Sequence, residues 1–355
     1  MNMAATIGRP ALRAADLGDA AELARIVDFV RAAEGATVFH LPAWSQAVAE
    51  GTGQKAHYLV AERDGQIAGV LPLSAIRSRL FGNALVSAGF AVGGGILATD
   101  PDVADALAGL AVALAGKAGC PSIELRGGAL PEGWDKIEGA HAGFVRPLAA
   151  SDEAELKAIP RKQRAEVRRA MGNGLTVTVG RGEAERRQHY AIYATSVRNL
   201  GTPVFPRGLF DAVLDRFGED ADILTVSRDG EPLASVLTLY FAGAAMPYWG
   251  GGTTEARHWR ANDMMYFALM GHARVRGCDR FDFGRSKADS GAYAFKKNWG
   301  FTPEPLTYAR RQLDGAPPRE TNPNSPRYRL QIALWKRLPL WAANAIGPLI
   351  ARGLG

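Results

Sequence analysis

The 355-residue sequence lacks an apolar run long enough to span a bilayer, and its first residues lack the apolar core of a secretory signal. It contains two cysteines, Cys120 and Cys278, and each leads into a β-rich stretch. Such thiols are expected to be buried and reduced rather than paired, because disulfides are rare in the cytoplasm. We therefore expect a cytoplasmic protein without disulfide chemistry.

Several catalytic signatures are also missing. The sequence has no Walker-type phosphate loop, no Rossmann glycine fingerprint, no Gly-x-Ser-x-Gly elbow and no paired-histidine motif among its six histidines. We therefore predict neither a metal nor a resident cofactor. A formal charge of +6 and a pI of about 9.4 favour anionic partners such as phosphates, nucleotides or a lipid surface.

An internal repeat is the main organising feature. The stretches "HYLVAERDGQIAGVLPLSAI" from His57 and "DILTVSRDGEPLASVLTLYF" from Asp222 both read as two strands joined at an Arg-Asp-Gly turn. The glycine triplets 93–95 and 250–252 follow, and "SIELRG" and "RFDFGR" close the parallel. Between the triplets and these last stretches, a helix-like segment ends at Gly119-Cys120 in one copy and at Gly277-Cys278 in the other. Two diverged copies of one unit explain four such matches in the same order.

Each copy reads as strand, helix pair, hairpin, strand, helix and strand, followed by a short closing segment. In the second copy the short segment "GAYAFKKNW" predicts a helix whose apolar face holds Ala292, Phe295 and Trp299. The pattern predicts a layered α+β fold in tandem, with a linker near "RPLAASDEAELKAIP".

This order of elements is that of the GNAT acyltransferase fold, and the tandem resembles the FemA/FemB-type peptidyltransferases. The similar segments are "IPRKQRAEVRRA", "SVRNLGTPVFPRGLF", "YWGGG", "RANDMMY", "FDFGRSK", "GAYAFKKNWGF" and the C-terminal tail. Within that type, the sequence resembles FemAB-related proteins of exosortase (PEP-CTERM) exopolysaccharide systems. We expect GNAT-like domains at 1–150 and 151–315, the second being the acyltransferase, and a Pro-rich linker with an amphipathic tail at 316–355.

The resemblance implies transfer of an acyl or aminoacyl group to an amine of a cell-envelope or exopolysaccharide precursor. Two alternatives remain open, a CoA-dependent N-acetyltransferase and a non-catalytic module that binds an anionic glycolipid. The donor is either aminoacyl-tRNA or acyl-CoA. The Gln/Arg-x-x-Gly-x-Gly/Ala loop that binds CoA pyrophosphate at a helix N-terminus is replaced by "TTEARHWRAND", which makes acyl-CoA less favourable.

The candidate site lies where "MPYWGGG" faces "RFDFGR", since central strands part there in a GNAT-like unit. Asp282 alternates with Phe281 and Phe283 and could serve as the base, with Tyr293 as the acid. The predicted substrate contacts at the place where the strands part are Tyr248, Gly250, Gly251, Arg285, Lys287, Lys296 and Lys297. The alternatives are a bulge that ends a strand at the glycines and a structural Asp282 to Arg285 pair with surface lysines.

A basic helix provides a second candidate site. "RKQRAEVRR" places Arg161, Arg164 and Arg168 on one face beside Lys162, which would suit a phosphate-bearing or lipid-linked substrate or tRNA. A solvated basic helix is the alternative. Asn262 either caps its helix or contacts ligand.

The C-terminal tail is apolar and basic. Trp335, Leu338, Trp341, Ile346, Leu349 and Ile350 suit an interfacial segment at the inner face of the membrane. The alternative is that the tail docks on the second domain and buries these side chains.

Overall fold

The computed structural model describes residues 8–313 and 326–355, and of residues 326–330 it describes the backbone alone. The part of the predicted Pro-rich linker up to residue 325 lies outside the described residues. The chain divides into two compact units. Unit 1 holds the chain up to Ile137, a segment from Thr307 and the residues Gly353–Gly355, and unit 2 holds Glu138–Leu306 and the C-terminal helices up to Arg352.

Helices and strands are mixed along the chain. The first ten are β1 (Ala11–Ala14), α1 (Ala20–Ala32), α2 (Pro42–Thr52), β2 (Lys55–Arg63), β3 (Gln66–Ile76), β4 (Ala84–Ser87), β5 (Leu97–Ala98), α3 (Pro101–Ala118), β6 (Ser122–Arg126) and β7 (Asp135–Pro147). The next eight are α4 (Asp152–Ala158), α5 (Arg161–Met171), β8 (Thr176–Gly180), α6 (Glu183–Leu200), α7 (Arg207–Phe217), β9 (Ala221–Arg228), β10 (Glu231–Phe241) and β11 (Ala244–Gly252). The last seven are α8 (Thr254–Trp259), α9 (Ala261–Val275), β12 (Arg280–Lys287), α10 (Gly291–Asn298), β13 (Glu304–Gln312), α11 (Pro326–Trp335) and α12 (Leu340–Ala351).

The two units share one sheet topology. In unit 1, β1 to β4 pair antiparallel in sequence order, β4 pairs parallel with β6, and β6 pairs antiparallel with β13. In unit 2, β8 to β11 pair in the same way, β11 pairs parallel with β12, and β12 pairs antiparallel with β7. The predicted tandem α+β fold is confirmed.

The strand that completes each sheet comes from the sequence that follows the other copy. β7 follows the first copy in sequence but completes the sheet of unit 2, and β13 follows the second copy but completes the sheet of unit 1. Each sheet therefore contains a strand contributed by the sequence of the other copy. A repeat read along the chain cannot reveal this exchange, because strand pairing depends on spatial proximity.

Two sequence interpretations need correction. The predicted linker near "RPLAASDEAELKAIP" contains helix α4, which starts where the Ser151 hydroxyl accepts a hydrogen bond from the amide of Ala154. The two glycine triplets are also not equivalent, because 250–252 end strand β11 whereas 93–95 lie beyond the end of β4. A Cβ on Gly95 would lie 1.7 Å from the carbonyl oxygen of Gly127, so that residue allows two backbone segments to pass in contact.

Each unit has its own apolar core. The core of unit 2 lies between its sheet and helices α5, α9 and α10, with Phe281, Phe283 and Trp299 buried near its centre. In the described part of the chain, no helix combines the length and the apolar character needed to cross a membrane. Cys120 and Cys278 are both free thiols.

Candidate functional site

The central strands of unit 2 part after a short contact. β11 and β12 pair only at Ala244 with Arg280 and at Ala245 with Phe281. Beyond these positions β11 runs on to Gly252 and β12 to Lys287 without mutual pairing. A shift of register in the pairing of β10 with β11 leaves Tyr248 as the extra residue of a bulge, which bends β11. The parting predicted between "MPYWGGG" and "RFDFGR" is therefore present.

The glycines of β11 permit close packing of helices. A Cβ on Gly251 would lie 2.6 Å from the Cβ of Ser196 on α6, and a Cβ on Gly252 would lie 2.7 Å from Oδ1 of Asn262 on α9. The sequence offered ligand approach or a strand-ending bulge as the reason for these glycines. The structure adds a third reason, because helices approach β11 from both of its faces.

The sequence interpretation missed Tyr266. The hydroxyl oxygen of this α9 residue would lie 3.4 Å from a Cβ on Gly250, and its ring packs edge-on against Phe283 of β12 at 4.8 Å between centroids. Tyr266 therefore stands at the gap between the parting strands. Its hydroxyl has no hydrogen-bond partner among the described residues, and burial raises its pKa to about 12.

A signal for Tyr266 was present in the sequence. Asn262 and Tyr266 are four residues apart and share one face of α9, while Gly250 and Gly252 are two apart and share one face of β11. Asn262 packs on Gly252 in the same way that Tyr266 packs on Gly250. Asn262 does not occupy the N-cap position, because Arg260 precedes α9 there in a left-handed conformation.

Asp282 lies on β12 between two buried phenylalanines and on the opposite face of the strand. Its Oδ1 accepts a hydrogen bond of 2.8 Å from the amide of Gly284, where the pairing of β12 with β7 shifts register. Burial raises the pKa of Asp282, and the Gly284 hydrogen bond and the charge of Lys296 only partly oppose this. A carboxylate with a raised pKa is suited to accept a proton near neutral pH.

Lys296 is buried on helix α10. Its ammonium donates hydrogen bonds to the carbonyl oxygens of Gly284 at 3.3 Å and of Arg285 at 2.9 Å, and so holds the irregular part of β12. Burial lowers its pKa to about 8, while Asp282 opposes this shift. The predicted apolar face of α10 needs correction, because Ala292 is exposed and Lys296 is buried instead.

The remaining residues predicted for this site lie on α10, at the end of β12 and, for Tyr248, on β11. Tyr293 is half-buried, with its ring edge-on to Phe144 at 5.3 Å, and the ammonium of exposed Lys297 lies 5.8 Å from its ring centroid. Arg285 and Lys287 are half-buried at the end of β12. Tyr248 packs against Trp249 at the bulge of β11.

The basic residues of helix α5 lie in different environments. Arg164 donates to the carbonyl oxygens of Lys157 and Ile159 at the C-terminal end of α4, so its guanidinium stabilises that end. Arg161, Lys162 and Arg168 are exposed. The other face of α5 packs on α9, where Gln163 donates to the Asp263 carboxylate at 2.5 Å.

Unit 1 also has a carboxylate at the position that corresponds to Asp282, but the environment of that carboxylate differs. Glu124 occupies the place on β6 that Asp282 occupies on β12, and its carboxylate pairs with Arg126 at 2.7 Å. Arg126 is buried and also donates to the carbonyl oxygen of Ala91, beyond the end of β4. The carboxylate of unit 1 is therefore neutralised by an arginine, whereas that of unit 2 is not.

No group of three or more histidine, cysteine, aspartate or glutamate side chains within the described residues could hold a metal ion.

Comparisons with known proteins agree with the fold. Residues 157–297 match the family model described as an acetyltransferase (GNAT) domain. The FemX structure covers 80% of this chain and 95% of its own, at 17% identity and a TM-score of 0.62. The C-terminal domain of a putative lysylphosphatidylglycerol synthetase from Agrobacterium fabrum covers 81% of this chain and 91% of its own, at 17% identity and a TM-score of 0.54.

A tandem GNAT protein from the clavulanic acid biosynthesis pathway covers 87% of this chain and all of its own, at 10% identity and a TM-score of 0.56. No curated protein matches the chain significantly. The matched domain lies within unit 2, where the strands part. The chain therefore has the fold of two GNAT-like units, and the second unit contains the matched acetyltransferase (GNAT) domain.

Proposed function

We propose that unit 2 transfers an aminoacyl or acyl group to an amine of an anionic cell-envelope or exopolysaccharide precursor, in the manner of the FemAB-type enzymes. The observation that carries this proposal is the gap between β11 and β12. Asp282 flanks it on one face of the sheet, and the Tyr266 hydroxyl flanks it on the other. The similarity to FemAB-related proteins of exosortase systems supports the precursor class.

The geometry suits proton transfer from both faces. The Asp282 carboxylate takes a proton from the attacking amine as the carbon-nitrogen bond forms. The bond from the carbonyl carbon to the leaving oxygen or sulfur then breaks, and a tyrosine hydroxyl protonates that atom. Tyr266 and Tyr293 are the two candidates for this acid, and Tyr266 is favoured because it stands at the gap itself.

The start of α9 argues for a donor other than acyl-CoA. Where a pyrophosphate loop would precede this helix, the chain forms the short helix α8 instead, and Thr253 caps it with its own hydroxyl. The first turn of α9 carries Asp263, whose negative charge opposes a phosphate at the helix N-terminus. Aminoacyl-tRNA fits these features better, and the exposed cations of α5 would meet its phosphates.

A thermal-shift experiment tests the donor. Pooled aminoacyl-tRNA should raise the Tm of the purified protein, because a ligand of the folded state stabilises it. The shift should shrink in a variant with Arg161, Lys162 and Arg168 changed to Ala, with Arg164 kept because it stabilises α4. The matched control changes three exposed cations of unit 1, Arg79, Lys117 and Lys136, to Ala.

Each result separates the candidate functions. Discharge of aminoacyl-tRNA by an added amine, abolished by Asp282→Asn, would support the proposal. Stabilisation by acetyl-CoA with release of free CoA would favour the CoA-dependent N-acetyltransferase instead. Binding of an anionic glycolipid without discharge of either donor would favour the non-catalytic module.

A further inference from the structure

Helix α12 has an inverted arrangement of side chains. Its buried residues are the small ones, Ala342, Ala343, Gly347 and Ala351. Three of its large apolar residues are exposed, Trp341 at 76%, Leu349 at 66% and Ile346 at 45%, while Leu340 and Ile350 are half-buried. A helix that only needs to dock on its own domain buries its large apolar side chains, because these contribute most on leaving water.

The small face docks closely within unit 2. A Cβ on Gly347 would lie 3.1 Å from the backbone nitrogen of Val204, and α12 packs against α6. The preceding turn is also held, because Arg198 on α6 donates to the carbonyl oxygen of Lys336. The outward apolar face is therefore presented on a fixed support. Docking and exposure, which the sequence offered as alternatives, occur together on opposite faces of one helix.

The charged residues of the C-terminal segment have a single sign. After Glu320 the sequence contains no acidic residue and five basic ones. Lys336 and Arg337 precede α12 and Arg352 follows it, all three of them exposed, while α12 itself carries no charge. Tryptophan and aliphatic side chains bordered by cations match the boundary between lipid headgroups and acyl chains.

We propose that the outward face of α12, formed by Trp341, Ile346 and Leu349 with the flanking cations, binds the surface of an anionic lipid bilayer. A second copy of the chain is a poorer partner. A two-fold contact would place this face against itself and bring the cations of both copies together without acidic partners within the segment. The proposal is independent of the reaction proposed for unit 2.

Vesicle sedimentation tests the proposal with the full chain. Vesicles of phosphatidylcholine mixed equally with phosphatidylglycerol should sediment the protein, and vesicles of phosphatidylcholine alone should sediment much less of it. Changing Trp341 and Leu349 to Ser should lower the lipid partition coefficient by about tenfold or more, because two large apolar side chains no longer enter the interface. Raised salt should also weaken binding, since the cations contribute through screened charge.

The matched control changes two other exposed apolar residues, Leu80 at 68% and Val275 at 87% exposure, to Ser. It should bind the mixed vesicles as the unaltered protein does, and both variants should keep the original melting temperature because the altered side chains are exposed. Failure of the unaltered protein to sediment with the mixed vesicles would overturn the proposal. So would an equal loss in the control, or a dimer in gel filtration that the Trp341 and Leu349 changes dissociate while vesicle binding is absent.

Discussion

The hydroxyl oxygen of Tyr266 lies 3.4 Å from the point that a Cβ on Gly250 would occupy, so this helix side chain ends directly beside the bulged strand. The hydroxyl stands where β11 and β12 have parted. Nothing in the packing of the ring requires this hydroxyl, because Phe283, Phe295 and Trp299 contact the ring itself. Replacing Tyr266 by Phe would therefore remove the hydroxyl and keep the contacts of the ring.

Tyr266→Phe should lower the rate of amide formation by about a hundredfold, the usual contribution of one acid or base group. The free energy of unfolding should change little, because the ring keeps its contacts. Burial raises the pKa of Tyr266 to about 12, so the hydroxyl stays protonated at neutral pH and its titration should be invisible in pH-rate profiles below that value. Kinetics of the variant beside Tyr293→Phe, together with urea unfolding of both, would show which tyrosine is the acid. Loss of stability without loss of rate in Tyr266→Phe would assign it a packing role.

Asp282 should produce the acidic limb of the pH-rate profile. Because burial raises its pKa above that of an ordinary carboxyl group, the fraction of active, ionised enzyme should rise with pH through that elevated value. Asp282→Asn should keep the hydrogen bond from Gly284, lose the limb and lose about a hundredfold or more in rate. The measurement is kcat/KM against pH for both proteins.

The raised pKa of Asp282 also affects the free energy of unfolding. A carboxyl group whose pKa is raised by folding favours the folded state at low pH, and this contribution is lost as the pH rises through the raised value. Asp282→Asn should therefore be no less stable than the original protein at neutral pH, as measured by urea unfolding. A marked destabilisation at neutral pH would show that the ionised carboxylate is a structural group.

The repeat was predictable because its signals are local. The Arg-Asp-Gly turns predicted two hairpins, and in both turns the aspartate and the glycine have positive φ, 52° and 76° at Asp64 and Gly65 and 50° and 84° at Asp229 and Gly230. Tight hairpins require this backbone conformation, and Asp-Gly adopts it readily. The conformation of such a turn depends on adjacent residues, so a single sequence is enough to predict it.

The site was predictable only in part, because its contacts join distant positions. Asp282 and Lys296 could be singled out on one strand and one helix, but the burial of Lys296 depends on carbonyl oxygens exposed by an irregularity in β12. Helical periodicity predicted that Ala292 is buried instead of Lys296, because the pattern depends only on the polarity of the side chains. It carries no information about hydrogen-bond acceptors on another element. Glu124 shows the same limit, since its neutralisation depends on a buried guanidinium.

Lys296 should make stability depend on pH at the alkaline end. Its pKa of about 8 in the folded protein is below the 10.5 of a free lysine, so between these values the unfolded chain binds more protons than the folded one. The free energy of unfolding should therefore rise with pH across this window through Lys296. In Lys296→Met this rise should be missing, whereas Lys297→Met, which changes an exposed lysine, should retain it. Urea unfolding of the three proteins at the two ends of the window gives the comparison, and identical pH slopes would contradict the proposed burial of the charge.

Gly251 should tolerate no side chain. The Cβ of an alanine there would lie 2.6 Å from the Cβ and 2.7 Å from the hydroxyl oxygen of Ser196, and 3.7 Å from the Cα of Tyr193, so α6 would have to move away from β11. Overpacking of this kind costs about 1–3 kcal/mol, and we expect Gly251→Ala to lose that much stability in urea unfolding. Gly109 is the matched control, because it lies in helix α3 and a Cβ added there would have no neighbouring atom within 4 Å. Gly109→Ala should gain about 0.4–1 kcal/mol by restricting the unfolded chain. If Ser196→Gly restored the stability of Gly251→Ala, the contact between α6 and β11 would be the cause of the loss; if it did not, the glycine would be required for the backbone of the bulged strand itself.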